Sequence, residues 1–312
     1  MNFIIIIVFY STLFLSPIIV ISSSNIIIIW LGLELRTFSF LPIIFSSAQS
    51  AFSTAKYFFI QRVASVIILV SFFYSYVNLR MSLIFFAFIL KLGIAPFHFW
   101  LPKLVASLQV KEILILLVWQ KIGPLAAITF IPSLTPIIKI IVGLFRVFVG
   151  RISGLKQTQW KQIFTFSSIS HLGWLIVRAR VSIWLVFVYF FIYAVSFIQL
   201  MISNYSQFIN TSILSFSNLR LINLLILLSL AGLPPILGFL AKIIVLFYLS
   251  VSRVMILISL SLILFSILRI YFYLKIFFSL TLSFNRFELA RNKIFILRNL
   301  ILFLAFPLLL NF

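Results

Sequence analysis

Apolar residues run through this chain in blocks of about twenty, long enough to span a bilayer and too uniform for a strand. Stretches such as Ile4 to Ile7 and Ile26 to Trp30 are apolar on every side. A membrane barrel would instead alternate apolar and polar positions over about ten residues. The blocks predict eleven transmembrane helices, over 4–22, 26–45, 56–76, 81–101, 112–131, 136–150, 160–178, 181–202, 220–250, 254–278 and 294–311. The longest polar stretch, Ser203 to Asn218, is modest, so residues 1–312 are expected to form a single transmembrane domain. The fold class is an all-α polytopic membrane protein.

Composition sharpens this picture. The chain is 64% hydrophobic and 9% charged, with a mean hydropathy of +1.30, far from the average of soluble domains. Its formal charge of +21 sets 24 Lys and Arg against Glu34, Glu112 and Glu288. In a soluble protein that imbalance would suggest nucleic acid. In a polytopic one, basic residues gather on one side of the bilayer and set its orientation, so no nucleic-acid partner is expected. Twelve loop-associated basic residues, among them Lys56, Arg62, Lys103, Lys111, Arg151, Lys156 and Lys161, fall on the side of the N-terminus. Only four, Arg80, Arg178, Arg180 and Arg253, fall on the other. The N-terminus is thus predicted inside and, after an odd number of spans, the C-terminus outside. The chain has no cysteine, which excludes disulfides, iron–sulfur clusters and thiolate metal sites, and its two histidines are His98 and His171.

Four charges lie where hydrocarbon is expected. Glu34 is near the centre of the second predicted helix, Lys91 of the fourth and Lys121 of the fifth, while Lys242 lies in the long ninth. Each costs about 2.5 to 3.5 kcal/mol at a helix centre, roughly 10 to 14 kcal/mol together, unless it pairs, meets water or stays neutral. One glutamate cannot neutralise three lysines, so the surplus points to proton exchange more than to structural ion pairing. The ninth segment is interrupted by Ala231-Gly232-Leu233-Pro234-Pro235, and the fourth more mildly by Lys91-Leu92-Gly93-Ile94-Ala95-Pro96. Prolines leave backbone carbonyls without donors at membrane depth, which is tolerated only beside protein or a water-filled cavity. Interrupted segments in the two halves of a transporter mark an ion path near the midplane.

At these residues the sequence resembles the antiporter-like membrane subunits of respiratory complex I, the proton-translocating NADH dehydrogenase. The resemblance rests on Trp30-Leu31-Gly32-Leu33-Glu34, on Lys56-Tyr57-Phe58 with Gln61, and on Lys91 through Pro102. It continues with Trp119-Gln120-Lys121, Gln157-Thr158-Gln159, Ser167 through Trp174, and Gly232 through Phe239, in the family's order. It implies two inverted repeats, approximately 1–131 and 136–278, each with a discontinuous helix, and an additional C-terminal helix at 294–311. It also implies that Glu34, Lys91, Lys121 and Lys242 carry protons at mid-membrane, with His171 along a hydrated route. Flavin and iron–sulfur clusters would belong to other subunits, with no cofactor and no directly bound NADH in this chain. Its partners would be neighbouring membrane-arm subunits and lipids, and its place the mitochondrial inner membrane, with the N-terminus in the matrix and the C-terminus in the intermembrane space. The sequence departs from the family at Arg36, where relatives usually carry an uncharged residue, and at Lys103, where they commonly carry Glu. Arg36 points about 200° around the helix from Glu34, so a bond to another helix or to a neighbouring subunit is expected instead. A freestanding cation/proton antiporter and a purely structural membrane-arm subunit remain as rival readings.

Overall fold

The structure is a computed structural model that describes residues 3–47, 51–130, 136–178, 183–209, 225–233, 237–249 and 253–284. The predicted helix at 294–311 and Glu288 lie outside the described residues. In chain order the helices are α1 (Phe3–Ser22), α2 (Ile26–Ser47), α3 (Ala51–Ser71), α4 (Val77–Leu92), α5 (Trp100–Ser107) and α6 (Val110–Leu114). A π-type turn (Ile115–Trp119) leads into α7 (Gln120–Phe130), followed by α8 (Pro136–Leu155), α9 (Trp160–Arg178) and α10 (Ile183–Ile209). Then come α11 (225–231), α12 (Leu237–Leu249) and α13 (Arg253–Phe284). Among the described residues every regular element is a helix.

Among the described residues, five helical stretches are long and apolar enough to cross a membrane: Ile5–Ser22, Ile26–Phe45, Ala51–Ser71, Val110–Thr129 and Trp184–Ile202. Others fall short for reasons that matter to the site. Helix α8 carries Lys139, Arg146 and Arg151, while α4 ends after 16 residues at Leu92. The stretch Val110–Thr129 is 72% buried and Ile5–Ser22 only 22%, so the segment carrying Lys121 is the enclosed axis of the bundle and α1 its skin. Ile7, Val8, Leu15 and Ile18 of α1 are exposed, as a lipid-facing surface requires.

Small residues set the closest helix pairing. On α8 and α9, Gly143 and Gly173 face each other, and a Cβ on Gly143 would stand 3.0 Å from the Gly173 carbonyl oxygen. With no hydrophobic force between helices in lipid, such close backbone approach is what holds them together.

The fourth predicted helix is fully interrupted. Helix α4 ends at Leu92, Gly93 takes φ +61°, and a non-helical stretch carries the chain to Trp100. Ile94 N–H donates to Ile89 O and Gly93 N–H to Leu90 O, both at 3.0 Å, the αL closure that glycine favours. Helix α11 closes in the same way. Gly232 takes φ +79°, its N–H reaches Leu228 O at 2.9 Å, and Leu233 N–H reaches the same oxygen at 3.2 Å. Pro234 and Pro235, on which the predicted interruption also rested, lie outside the described residues. Helix α10 runs on through 203–209, where a polar connection was expected. Helical backbone satisfies its own hydrogen bonds whatever its side chains, so a polar sequence does not end it.

Candidate functional site

Prolines decide where the backbone is left short of donors. A proline has no N–H, so the carbonyl four residues before it loses its helical partner. Pro17 strips Leu13 in this way, and Leu13 O accepts from Trp119 Nε1 at 3.1 Å, tying α1 to the central segment. Pro124 strips Gln120, and Gln120 O accepts from Arg36 Nη1. Arg36, 2% exposed, thus reaches across to α7, the cross-helix contact that its direction on α2 required. Pro234 and Pro235 stand four residues after Leu230 and Ala231. Leu230 O accepts from Arg269 Nη1 at 3.2 Å, and Ala231 O accepts from Lys242 Nζ. Each of these four carbonyls accepts from a side-chain donor, and three of the four donors are cationic.

Around the first break, Glu34 is the counter-charge. Its Oε1 lies 3.3 Å from Lys91 Nζ and its Oε2 lies 2.6 Å from Arg62 Nη1. Gln61 Nε2 donates to the Lys91 carbonyl at 3.1 Å, holding the last turn of α4. Tyr57 donates to Gln120 Oε1 at 3.0 Å, so α3 touches both the break and the residue before Lys121. Glu34 and Lys91 are both buried, at 5% and 4% exposure.

Lys121 stands in the first turn of α7. The π-type turn ahead of it adds a residue to the helical repeat and re-aims the side chains of α7, a device that recurs at functional positions. Its Nζ is buried and has no hydrogen-bond partner among the described residues. Arg146 of α8 lies within electrostatic reach of it. Arg146 Nε donates to Ile169 O of α9 at 2.7 Å, next to Ser170 and His171.

At the second break, Arg269 of α13 is 0% exposed. Besides donating to Leu230 O, its Nη1 lies 2.7 Å from His171 Nε2 and 3.2 Å from His171 Nδ1, and its Nη2 donates to Ser170 Oγ at 2.9 Å. His171 Nδ1 is paired with Tyr189 Oη at 2.8 Å. Lys242 projects from α12 back over Gly232 and lies 6.0 Å from the Trp174 ring. A Cβ on Gly232 would run into the Lys242 side chain, so glycine serves there both for the turn and for the amine.

The five residues selected from the sequence thus fall into three places. Glu34 and Lys91 meet directly, and Lys121 stands apart on the enclosed α7. Lys242 and His171 share the second break without touching. What joins them was missed at the sequence level, where Arg62 and Arg151 were counted as loop cations. Arg62 is instead the second partner of Glu34, and Arg151 is 0% exposed and donates to Phe265 O. Arg146 and Arg269 drew no attention, although the burial cost that selected the lysines applies equally to them. Among the described residues no cluster of His, Asp or Glu is suited to hold a metal ion.

A mostly buried row of charges running past two interrupted helices is the arrangement of an ion-translocating membrane subunit. The profile of the family described as NADH:quinone oxidoreductase/Mrp antiporter, TM, matches residues 74–268, well over half of the chain. The chain belongs to this family. It is 34% identical to NADH-ubiquinone oxidoreductase chain 2 of Mus musculus over 91% of this chain and 88% of the relative. To the chain of the same name from Anopheles gambiae it is 35% identical, over 88% and 85%. Its fold matches a chain of respiratory complex I from Thermus thermophilus with a TM-score of 0.74 at 19% identity, covering 86% of this chain and 69% of that one. A chain of the Mrp complex from Dietzia matches with a TM-score of 0.74 at 15% identity, covering 84% and 57%.

Proposed function

We propose that this chain is a core membrane-arm subunit of a respiratory NADH:ubiquinone oxidoreductase in the mitochondrial inner membrane, and that it translocates protons driven by redox chemistry in other subunits. The observation that carries this reading is the line of buried groups from Glu34 and Lys91 at one break, past Lys121, to His171 and Lys242 at the other. Likeness to chain 2 of the oxidoreductase over nine-tenths of the sequence supports the assembly it works in. Flavin, clusters and NADH belong, in this reading, to partner subunits. This chain supplies no redox centre of its own.

The coupling needs only electrostatics. Two unit charges about 10 Å apart at an effective dielectric of about 20 interact by roughly 1.7 kcal/mol, somewhat more than one proton-affinity unit. A change of protonation at Glu34 or Lys91 therefore biases the next group along the row. Moving one charge against the membrane potential takes about 2.3 kcal/mol per 100 mV, so several such steps act together.

Lys121 provides the test, because protons passing between the two breaks must pass it. Lys121→Ala should leave assembly largely intact and lower NADH-driven pumping and the coupled quinone reductase rate at least tenfold. Lys121→Arg keeps the charge but does not release its proton, and it should fail nearly as badly. A structural ion-pair role requires the opposite order, with Arg tolerated and Ala impairing assembly. Normal pumping in the Arg variant would remove proton exchange at Lys121 from the mechanism.

A further inference from the structure

Charge is partly balanced at the first break, where Glu34 stands between Lys91 and Arg62. At the second, Arg151, Arg269, Lys242 and His171 lie within electrostatic reach of one another. Among the described residues no carboxylate accompanies them. Glu34 belongs to the first break and Glu112 to the first turn of α6. Glu288 is remote in the chain, since α13 continues from Arg269 to Phe284, about 22 Å of helix, before the sequence reaches it.

Two of these cations are held in one corner of the bundle. Helix α13 packs against α8, and Phe148 meets Phe265 there edge-on, with ring centroids 5.5 Å apart. One turn further along α8, Arg151 crosses to α13 and donates through Nη1 to Phe265 O. Phe265 stands one turn before Arg269, and helical side chains lean toward the start of their helix. Arg269 therefore lies over the turn that Arg151 grips. Across the same corner, Gly150 packs against Ser170 of α9, close enough that a Cβ would stand 3.2 Å from the Ser170 Cβ. Ser170 is the residue that accepts from Arg269 Nη2.

Both guanidiniums are fully enclosed. Their contacts leave Arg151 Nε and Nη2 and Arg269 Nε as buried donors with no partner among the described residues. An unmet donor and an uncompensated charge are both costly at such depth, and arginine does not shed its proton to escape the cost. A water molecule would accept from these donors but would leave both charges in place. A lipid phosphate or a neighbouring subunit's carboxylate arrives on a chain that needs an opening, and neither arginine has exposed surface. A free ion of one or a few atoms can be closed in as the helices pack. We infer that Arg151 and Arg269 bind a small inorganic anion of the class of chloride in the corner between α8, α9 and α13. There it supplies the negative charge that Glu34 supplies at the first break. The site goes beyond the proton-translocating reading, because binding requires no turnover.

The experiment uses the assembled, detergent-solubilised oxidoreductase, exchanged from gluconate into chloride. As chloride is added, loss of this subunit on graded heating should move to higher temperature and then level off, because a ligand held only by the native packing stabilises it. Arg151→Met, neutral and similar in length, should abolish that saturable shift, and radioactive chloride retained per complex should fall by about one ion from the parent's. Lys103→Met, which removes an exposed inner-side lysine, should keep both. A response that never saturates, that Arg151→Met retains, or that Lys103→Met loses equally is a general salt effect and overturns the site. If Arg151→Met does not assemble, crystals of the unaltered complex in bromide decide. An anomalous peak between Arg151 and Arg269 supports the inference, and water-like density without anomalous signal overturns it. Pumping is read separately. Normal pumping in Lys121→Arg refutes the proton-exchange reading and leaves the anion site standing, whereas absent halide binding with impaired pumping in Lys121→Arg refutes only this inference.

Discussion

Arg146 shows how a buried cation can be a burden on stability. It is 0% exposed, its Nε reaches Ile169 O, and neither Nη has a partner among the described residues. Replacing buried ionic groups with neutral ones of fitting size is often stabilising, by about 1 to 4 kcal/mol, while an orphaned charge costs more still. Arg146→Met, neutral and of similar length, should therefore raise the temperature at which the assembled complex loses this subunit, read by native gel after graded heating. A lower temperature would mean that a neighbouring subunit or a lipid supplies an anion to those nitrogens. The residue scale is also where the sequence was most and least legible. Insertion cost alone selected Glu34, Lys91, Lys121 and Lys242, and all four are buried at 5% exposure or less. The same cost was not charged to Arg151, which was counted with a loop, or to Arg146 and Arg269, which went unconsidered inside their predicted helices. Orientation rules count charges along the chain, whereas burial depends on which helices close over them.

At the scale of elements, both breaks were legible from Gly and Pro, but the completeness of the first was not. Pro96 alone is compatible with a kink, whereas the glycine in the left-handed region at Gly93 turns the backbone out of the helix. Left-handed backbone costs a residue with a Cβ roughly 1 to 2 kcal/mol, so Gly93→Ala and Gly232→Ala should share that penalty. Gly232→Ala carries a second one, because the methyl group displaces Lys242 from Ala231 O. Assembly should therefore suffer similarly in both variants, while residual pumping per assembled complex is lower in Gly232→Ala. Equal pumping in the two would show that the Lys242–Ala231 contact does not matter to transport. The donors that meet the stripped carbonyls were not legible at all. Proline spacing says which oxygens are freed, but only tertiary packing brings Arg36 to Gln120 and Arg269 to Leu230.

Across the whole molecule, the enclosed segment carrying Lys121 and the lipid-facing α1 follow from where polar residues interrupt the apolar pattern, and the order of helices 1 to 10 follows the predicted order closely. Orientation in the membrane is argued from charge that stays outside it. Counting crossings from α1, the connections between α5 and α6 and between α8 and α9 lie on the side of the N-terminus. They present Lys103, Lys111 and Lys156 to solvent, whereas Arg62 and Arg151, used inside the bundle, no longer vote. Cationic loops remain on the inner side because crossing against the membrane potential and the insertion machinery disfavours them. A tag at the N-terminus should thus be shielded in mitoplasts and cleaved only after the inner membrane is opened. A tag at the C-terminus should be cleaved in intact mitoplasts if an eleventh span follows α13, as the apolar residues 294–311 predict. The two tags test separate statements. Cleavage of the N-terminal tag in mitoplasts would invert the orientation, and protection of both tags would leave an even number of spans and remove the last helix from the membrane.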